Sequence, residues 1–197
     1  MSKGKAFIIS GPSGVGKSTV LKALMERRGN LYFSVSATTR SPRPGEENGV
    51  HYHFLDTETF RRWIAEDEFL EHAEFVGNFY GTPRKYVYQA MEQGQDVILD
   101  IEVQGAAQVA AKMPEVVRIF IAPPSWAELE RRLTERGTDT PEKIRGRLAR
   151  AREDADLAAN YDYLVINDTV DHAMRELDAI MTAEHCKPAD RMAELGE

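Results

Sequence analysis

The chain has 197 residues, with 25 lysines and arginines against 32 aspartates and glutamates, for a formal net charge of −7. Its 42% hydrophobic and 29% charged content is that of one globular domain of ordinary size, not of a disordered chain. The acidic balance argues against a nucleic-acid binder, and the single cysteine, Cys186, excludes an internal disulfide or thiolate zinc cluster and fits a reducing compartment.

No apolar run approaches the roughly 20 residues of a spanning helix. The opening MSKGKAFIISG carries only four apolar residues after its lysines, against the about 7 to 15 of a signal-peptide core. A soluble cytoplasmic protein with no membrane partner is expected.

In chain order, residues 6–10 (AFIIS) form the first expected strand, and residues 17–28 a helix with Val20, Leu21, Leu24 and Met25 at helical spacing. Residues 34–90 break the rhythm with Pro42, Pro44, Gly45 and Gly49, a period-2 HYHF segment and a short helix from Thr57. They read as a small α+β lobe inserted between the first and second core strands. Residues 96–101 (DVILDI), 117–122 (VRIFIA) and 163–167 (YLVIN) supply further strands, continuously apolar as strands covered on both faces require. Ser125-x-x-Glu128 is a capping box, Thr140-Pro141 a second helix start, and Asp171 opens the last amphipathic helix. The polar end from Lys187 is expected to fray. The whole predicts an α/β protein: a parallel sheet flanked by helices, with an insertion at 34–90 and a second, helical one at 134–159.

Residues 11–18, Gly-Pro-Ser-Gly-Val-Gly-Lys-Ser, match GxxxxGK[ST] in full between an expected strand and helix. Such a loop turns backbone N–H groups inward and, with the helix N-terminus, forms a nest of partial positive charge for phosphate oxygens. Lys17 is expected at the β- and γ-phosphates and the Ser18 hydroxyl on Mg²⁺. Asp100, ending its strand, is open between an acid near the metal and an ordinary strand-terminal aspartate. Arg40 and Arg43, three apart in a Pro/Gly-rich loop, are either a second phosphate site or a solvated loop. The sequence contains neither the Asn-Lys-x-Asp motif of GTPases nor the LSGGQ signature of transporter ATPases.

Seven blocks in order, GPSGVGKST, SVSATTRSPRPGEENGVHYHF, FLEHAEFVGNFYGTP, VILDIEVQGA, IFIAPPS, RRLTERGTDT and VIND, resemble the guanylate kinases, ATP:GMP phosphotransferases. The resemblance spans residues 7–183. It implies a single domain over 1–197 with a P-loop kinase core (about 1–33, 91–125 and 160–187), a GMP-binding lobe (34–90), a helical lid (126–159) and a tail (188–197). It implies transfer of the ATP γ-phosphate to GMP and dGMP, giving GDP and ADP in purine nucleotide metabolism, with Mg²⁺ as cofactor.

By the same resemblance, Arg40, Arg43, Tyr52 and Tyr80 hold the GMP phosphate, Glu71, Ser36 and Thr82 read guanine, and Asp100 lies at that site. ATP is held by Gly11, Pro12, Ser13, Gly14, Val15, Gly16, Lys17, Ser18 and Thr19, by Arg132 and Arg136, and on the adenine side by Asn167 and Asp168. Lys17, Arg43, Arg136 and Arg147 act on the phosphates during transfer. Ser18 is a metal ligand and Asp100 a candidate second one. Thr82 stands where many members have serine and Glu102 where aspartate is usual, so Asp100 is weighted above Glu102. A monophosphate kinase for another base, and a kinase-like scaffold that binds peptides, are the alternatives. Intact Lys17, Ser18, Arg40, Arg43, Arg136 and Arg147 argue against the scaffold.

Charge is unevenly placed. Residues 131–152 hold eight bases and three acids, a +5 segment in a remainder of −12. Three acids cannot pair eight bases, which favours a phosphate-facing lid over a solvated helical face; Arg145, Arg150 and Arg152 can still be surface charge. His51 and His53 alternate as two metal ligands could, but with no third nearby they are read as structural, and Trp63 and Trp126 as packing residues.

Overall fold

A computed structural model describes residues 3–135, 137 and 139–192. Its elements run β1 (Ala6–Ser10), α1 (Lys17–Arg27), β2 (Leu31–Phe33), β3 (Ala37–Thr38), β4 (His53–Phe54), α2 (Thr57–Ala65), β5 (Phe69–Phe75), β6 (Asn78–Pro83), α3 (Arg84–Glu92), β7 (Asp96–Asp100), α4 (Val103–Lys112), β8 (Val117–Ala122), α5 (Trp126–Glu135), α6 (Pro141–Asp156), a 3-10 turn (Leu157–Asn160), β9 (Tyr163–Ile166), α7 (Val170–Glu184) and α8 (Pro188–Arg191). The larger sheet has the strand order β2-β7-β1-β8-β9, and the smaller β4-β3-β6-β5. Among the described residues no helix is long and apolar enough to cross a membrane. Two compact units divide the chain, Lys3–Ile8 with Asn30–Arg118, and Ile9–Gly29 with Ile119 onward.

In the first unit β2 pairs parallel with β7, Leu31 opposite Asp96. β2 is a core strand that the apolar pattern does not reveal, because its three residues are only half-buried. The smaller sheet joins β3 parallel to β4 and antiparallel to β6, which pairs antiparallel with β5. Its core is Ala37, Phe60 and Phe69, with the two phenylalanine rings stacked 4.4 Å apart. Asp56 caps α2 by accepting the Thr59 N–H at 2.7 Å, which fixes the expected helix start. The strand expected around HYHF shrinks to His53–Phe54. His53 stacks on Tyr86 at 4.5 Å and His51 Nδ1 accepts the Glu47 N–H at 3.0 Å, so both histidines have structural partners. Trp63 packs against the lobe core.

In the second unit β8 and β9 pair parallel. Ile119, Phe120, Ile121 and Val165 are fully buried, but Leu164 is 57% and Ile166 38% exposed. The expectation that every strand is covered on both faces therefore fails at β9, a sheet-edge strand with alternating burial. α1 and α7 are joined through Asp178, which accepts hydrogen bonds from Arg27 and Arg28. Leu129 and Leu133 of α5 pack on Ile144 and Ala151 of α6.

Thr140 caps α6 by accepting the Lys143 N–H. Ser125 likewise accepts the Glu128 N–H, but Glu128 does not return the bond as a capping box requires; its carboxylate binds Arg131 and Arg132 instead. Trp126 is 39% exposed, with the Arg152 guanidinium over its ring at 5.8 Å, so it packs against a cation and not in the core. The tail begins with the short α8 where fraying was expected.

Candidate functional site

Glu71 and Thr82 are opposite residues of the β5–β6 ladder, placed there by a bulge between Phe69 and Glu71. The Thr82 hydroxyl donates to Glu71 Oε1 at 2.7 Å, in a pair that is buried. Gln108 of α4 clasps the next residue, accepting from the His72 N–H and donating to its carbonyl, each at 3.2 Å. That clasp brings Gly105, one turn earlier, against the carboxylate: a β-carbon on Gly105 would lie 3.0 Å from Glu71 Oε2. Burial pushes the Glu71 carboxyl above the ordinary glutamate range, against the Thr82 hydrogen bond.

This carboxylate lines a cavity of about 360 Å³ together with Ser36, Tyr52, Tyr80, Asp100 and Glu102. The cavity thus gathers Ser36, Tyr52, Glu71, Tyr80 and Asp100 of the expected acceptor residues, with Thr82 behind Glu71. Gln104 and Gly105 also line it, and neither is singled out by sequence.

Arg40 stands at the edge of this group, its guanidinium over the Tyr52 ring at 5.4 Å. Glu46 grips it at two points, Nη1 at 3.0 Å and Nη2 at 2.9 Å, and accepts the Arg43 N–H at 2.7 Å. The Arg40 hydrogen bonds hold the Glu46 carboxyl down at about 2. The Arg43 side chain is not among the cavity's lining residues. Glu46 was missed by sequence reasoning, although an acid six residues beyond an arginine in a tight Pro/Gly loop was an available signal.

In the second unit the glycine-rich loop leads into α1. Gly16 caps the helix at φ 95°, a left-handed conformation that other residues resist. At Gly14 (φ 90°), a β-carbon would lie 2.6 Å from Leu133 of α5. The Val15 carbonyl accepts from Asn167 Nδ2 at 2.7 Å and from Arg132 Nη1 at 3.0 Å. Arg147 of α6 donates to the Ser13 hydroxyl at 3.0 Å and pairs with Asp139 at 3.2 Å. Asp168 accepts from the Thr169 N–H and pairs with His172, whose imidazole that carboxylate pushes up. Arg136 lies outside the described residues.

The +5 segment is less bare than its own count suggests. Glu128 pairs with Arg131 and Arg132, and Glu153 and Asp154 pair with Arg150. These acids sit just outside the 131–152 window, three or four residues from their partners, where helix geometry makes them neighbours.

For Mg²⁺ the donor set fits in one specific way. Ser18 is exposed in the first turn of α1, and among the described residues no group of three or more His, Cys, Asp or Glu forms a protein cage. A hydroxyl, phosphate oxygens and water are the ligands Mg²⁺ accepts in such sites.

A glycine-rich phosphate loop between strand and helix, on a parallel α/β sheet, defines a P-loop nucleotide-binding protein. Residues 3–184 match the family model described as guanylate kinase. Among similar proteins, the guanylate kinase of Clostridium perfringens is 48% identical over 193 residues, 98% of this chain and 89% of that protein. That of Halalkalibacterium halodurans is 51% identical over 185 residues, 94% and 91% of the respective chains. A crystal structure of guanylate kinase from Anaplasma phagocytophilum aligns with TM-score 0.75 at 36% identity, covering 96% of this chain and 90% of that one. The chain belongs to the guanylate kinase family.

Proposed function

We propose that the chain transfers the γ-phosphate of ATP to GMP, giving ADP and GDP. The observation that carries this reading is the buried Glu71 carboxylate, with one oxygen held by Thr82 and the other beside Gly105 in the cavity wall. Guanine presents N1–H and an exocyclic amine side by side, and one carboxylate accepts from both. Adenine has no such pair and would leave a buried carboxylate unsatisfied.

Arg40, Arg43, Tyr52 and Tyr80 hold the GMP phosphate, with Ser36 and Asp100 in the same pocket. The loop 11–19 holds the ATP phosphates, with Lys17, Arg136 and Arg147 neutralising charge in transfer. The acceptor is already an anionic phosphate oxygen, so positioning and charge neutralisation do the catalytic work without a general base. Mg²⁺, held by Ser18 with phosphate and water oxygens, supplies further neutralisation when bound. The lobe at 34–90 serves the acceptor and the helices of 126–159 the donor. The exposed Cys186 fits a reducing, cytoplasmic setting.

An ADP-release assay with GMP, AMP, CMP and UMP tests the reading. GMP is expected to lead in kcat/KM by on the order of 10⁴-fold. Comparable turnover of AMP and GMP overturns it.

A further inference from the structure

Val15 is a hydrophobic residue of the phosphate loop with its side chain buried, yet its carbonyl is the most heavily tied group of the loop. Asn167 Nδ2 and Arg132 Nη1 both donate to it, at 2.7 and 3.0 Å. Those two residues also hold each other, through Arg132 Nη2 to the Asn167 carbonyl at 3.0 Å. Asn167 is fixed at the end of β9 by its own N–H, which donates to the Ala122 carbonyl at 2.8 Å. Arg132 is fixed on α5 by Glu128, Nε to Oε1 at 2.8 Å. The result is a closed network running from helix to strand end to loop.

The peptide bond carries this restraint forward. In a trans peptide the C=O and the following N–H point in opposite directions, and no cis peptide is present among the described residues. Drawing the Val15 carbonyl toward Asn167 and Arg132 therefore turns the Gly16 N–H away from both. Gly16 itself has no room for a side chain on the tethered flank, where a β-carbon would lie 2.7 Å from Asn167 Nδ2.

Asn167 is 3% exposed, and its Oδ1 is buried with no hydrogen-bond partner. A side chain that leaves an acceptor orphaned is poorly explained by stability, since an apolar residue would avoid that cost. Its Nδ2 is the working end, and that end is already committed to Val15. Neither polar atom of the amide is open to a nucleotide base.

We propose that Arg132 and Asn167 are positioning residues for the donor phosphates: by holding the Val15 carbonyl they aim the Gly16 N–H at the phosphate chain, and they do so without reading the adenine. The proposal rests on the loop being the triphosphate site. It predicts that their loss is felt equally by any ligand bearing the polyphosphate, with or without a base.

The test compares Mg²⁺-ATP with Mg²⁺-tripolyphosphate, which has no nucleoside, by titration calorimetry on the full chain. The variants are Arg132→Lys, which keeps the charge but cannot span both carbonyls, and Asn167→Ala. Arg131→Met removes one positive charge a residue away and serves as the control. Both positioning variants are expected to weaken ATP and tripolyphosphate by the same factor, about ten-fold for a supporting residue, with GMP affinity unchanged. Arg131→Met is expected to change neither ligand. Weakening of ATP alone would overturn the proposal by showing contact with the nucleoside, and unchanged affinity for both would overturn it by showing no role. An Arg131→Met loss equal to that of Arg132→Lys would overturn it by assigning the effect to charge. If Asn167→Ala does not fold, Arg132→Lys decides. A wild-type chain that binds neither ligand overturns the loop assignment itself, and this proposal with it.

Discussion

Thr82 donates its hydroxyl hydrogen to Glu71 Oε1 over 2.7 Å, and the two residues face each other directly across the β5–β6 ladder. The bond favours the ionised carboxylate, but burial outweighs it and the carboxyl is pushed up. A group whose native pKa is raised contributes stability that is fully present below its unfolded value and is lost as pH rises through the native value. The ligand-free fold therefore prefers protonated Glu71, whereas guanine's two donors demand the ionised form. GMP affinity is expected to fall as pH drops through the raised value, above the range of an ordinary glutamate. In Glu71→Gln the ligand-free chain should melt later, GMP binding should weaken by on the order of 10²–10³-fold, and the acid limb should vanish from GMP kcat/KM. A Glu71→Gln profile that keeps the wild-type acid limb would assign that limb to another group.

Gly105 gives a prediction of opposite signs for stability and binding. It lies inside α4, where alanine is the better helix former by roughly 0.5–1 kcal/mol. A β-carbon there would stand 3.0 Å from Glu71 Oε2 and 3.3 Å from its Cδ. The carboxylate cannot retreat freely, because its other oxygen is held by Thr82. Gly105→Ala should leave melting unchanged or slightly higher while GMP KM rises about ten-fold, the scale set by a misplacement near 1 Å or less. Equal GMP KM in wild type and variant would show that Glu71 moves without cost.

Lys17 opens α1 directly after the left-handed Gly16. It belongs to the donor site, and the acceptor cavity is lined by other residues. Lys17→Ala is expected to lower kcat by on the order of 10³-fold or more while GMP binding stays measurable by calorimetry. Near-normal turnover would overturn the loop assignment.

The parts of the fold legible in the sequence are those whose causes are local. The loop 11–18, the Thr140 cap and the buried runs of β1, β7 and β8 each carry their signal within a few residues. β2 does not: Leu31–Phe33 is half-buried and acquires its identity from β7, some 65 residues later. Glu71 shows the same limit at the site. Among Glu66, Asp67, Glu68 and Glu74 it is one acid of several until the β5–β6 ladder sets it against Thr82 and α4 brings Gly105 beside it. Arg132 and Asn167 could be placed near the donor site by motif. Their actual partner, the Val15 carbonyl, lies 117 and 152 residues away in sequence, where no periodicity or spacing reaches.

Glu46 provides the control for the pH argument. Its carboxylate occupies both outer nitrogens of Arg40 and takes the Arg43 N–H, so it orients the arginine loop and leaves the remaining guanidinium hydrogens for a phosphate. Because its carboxyl is held at about 2, its contribution is present above the ordinary glutamate range and is lost only as pH falls toward that value. Titration of Glu46 therefore cannot produce a loss of GMP affinity in mildly acidic solution, whereas Glu71 can. Glu46→Gln keeps the shape but weakens the grip on Arg40. It should raise GMP KM several-fold with little change in kcat, and the acid limb of kcat/KM should stay at the wild-type pH. Steady-state kinetics across the acid range measure all three. A fall in KM would mean that the carboxylate competes with the GMP phosphate for Arg40 instead of positioning it, and a shifted acid limb would move the titrating group from Glu71 to the arginine loop.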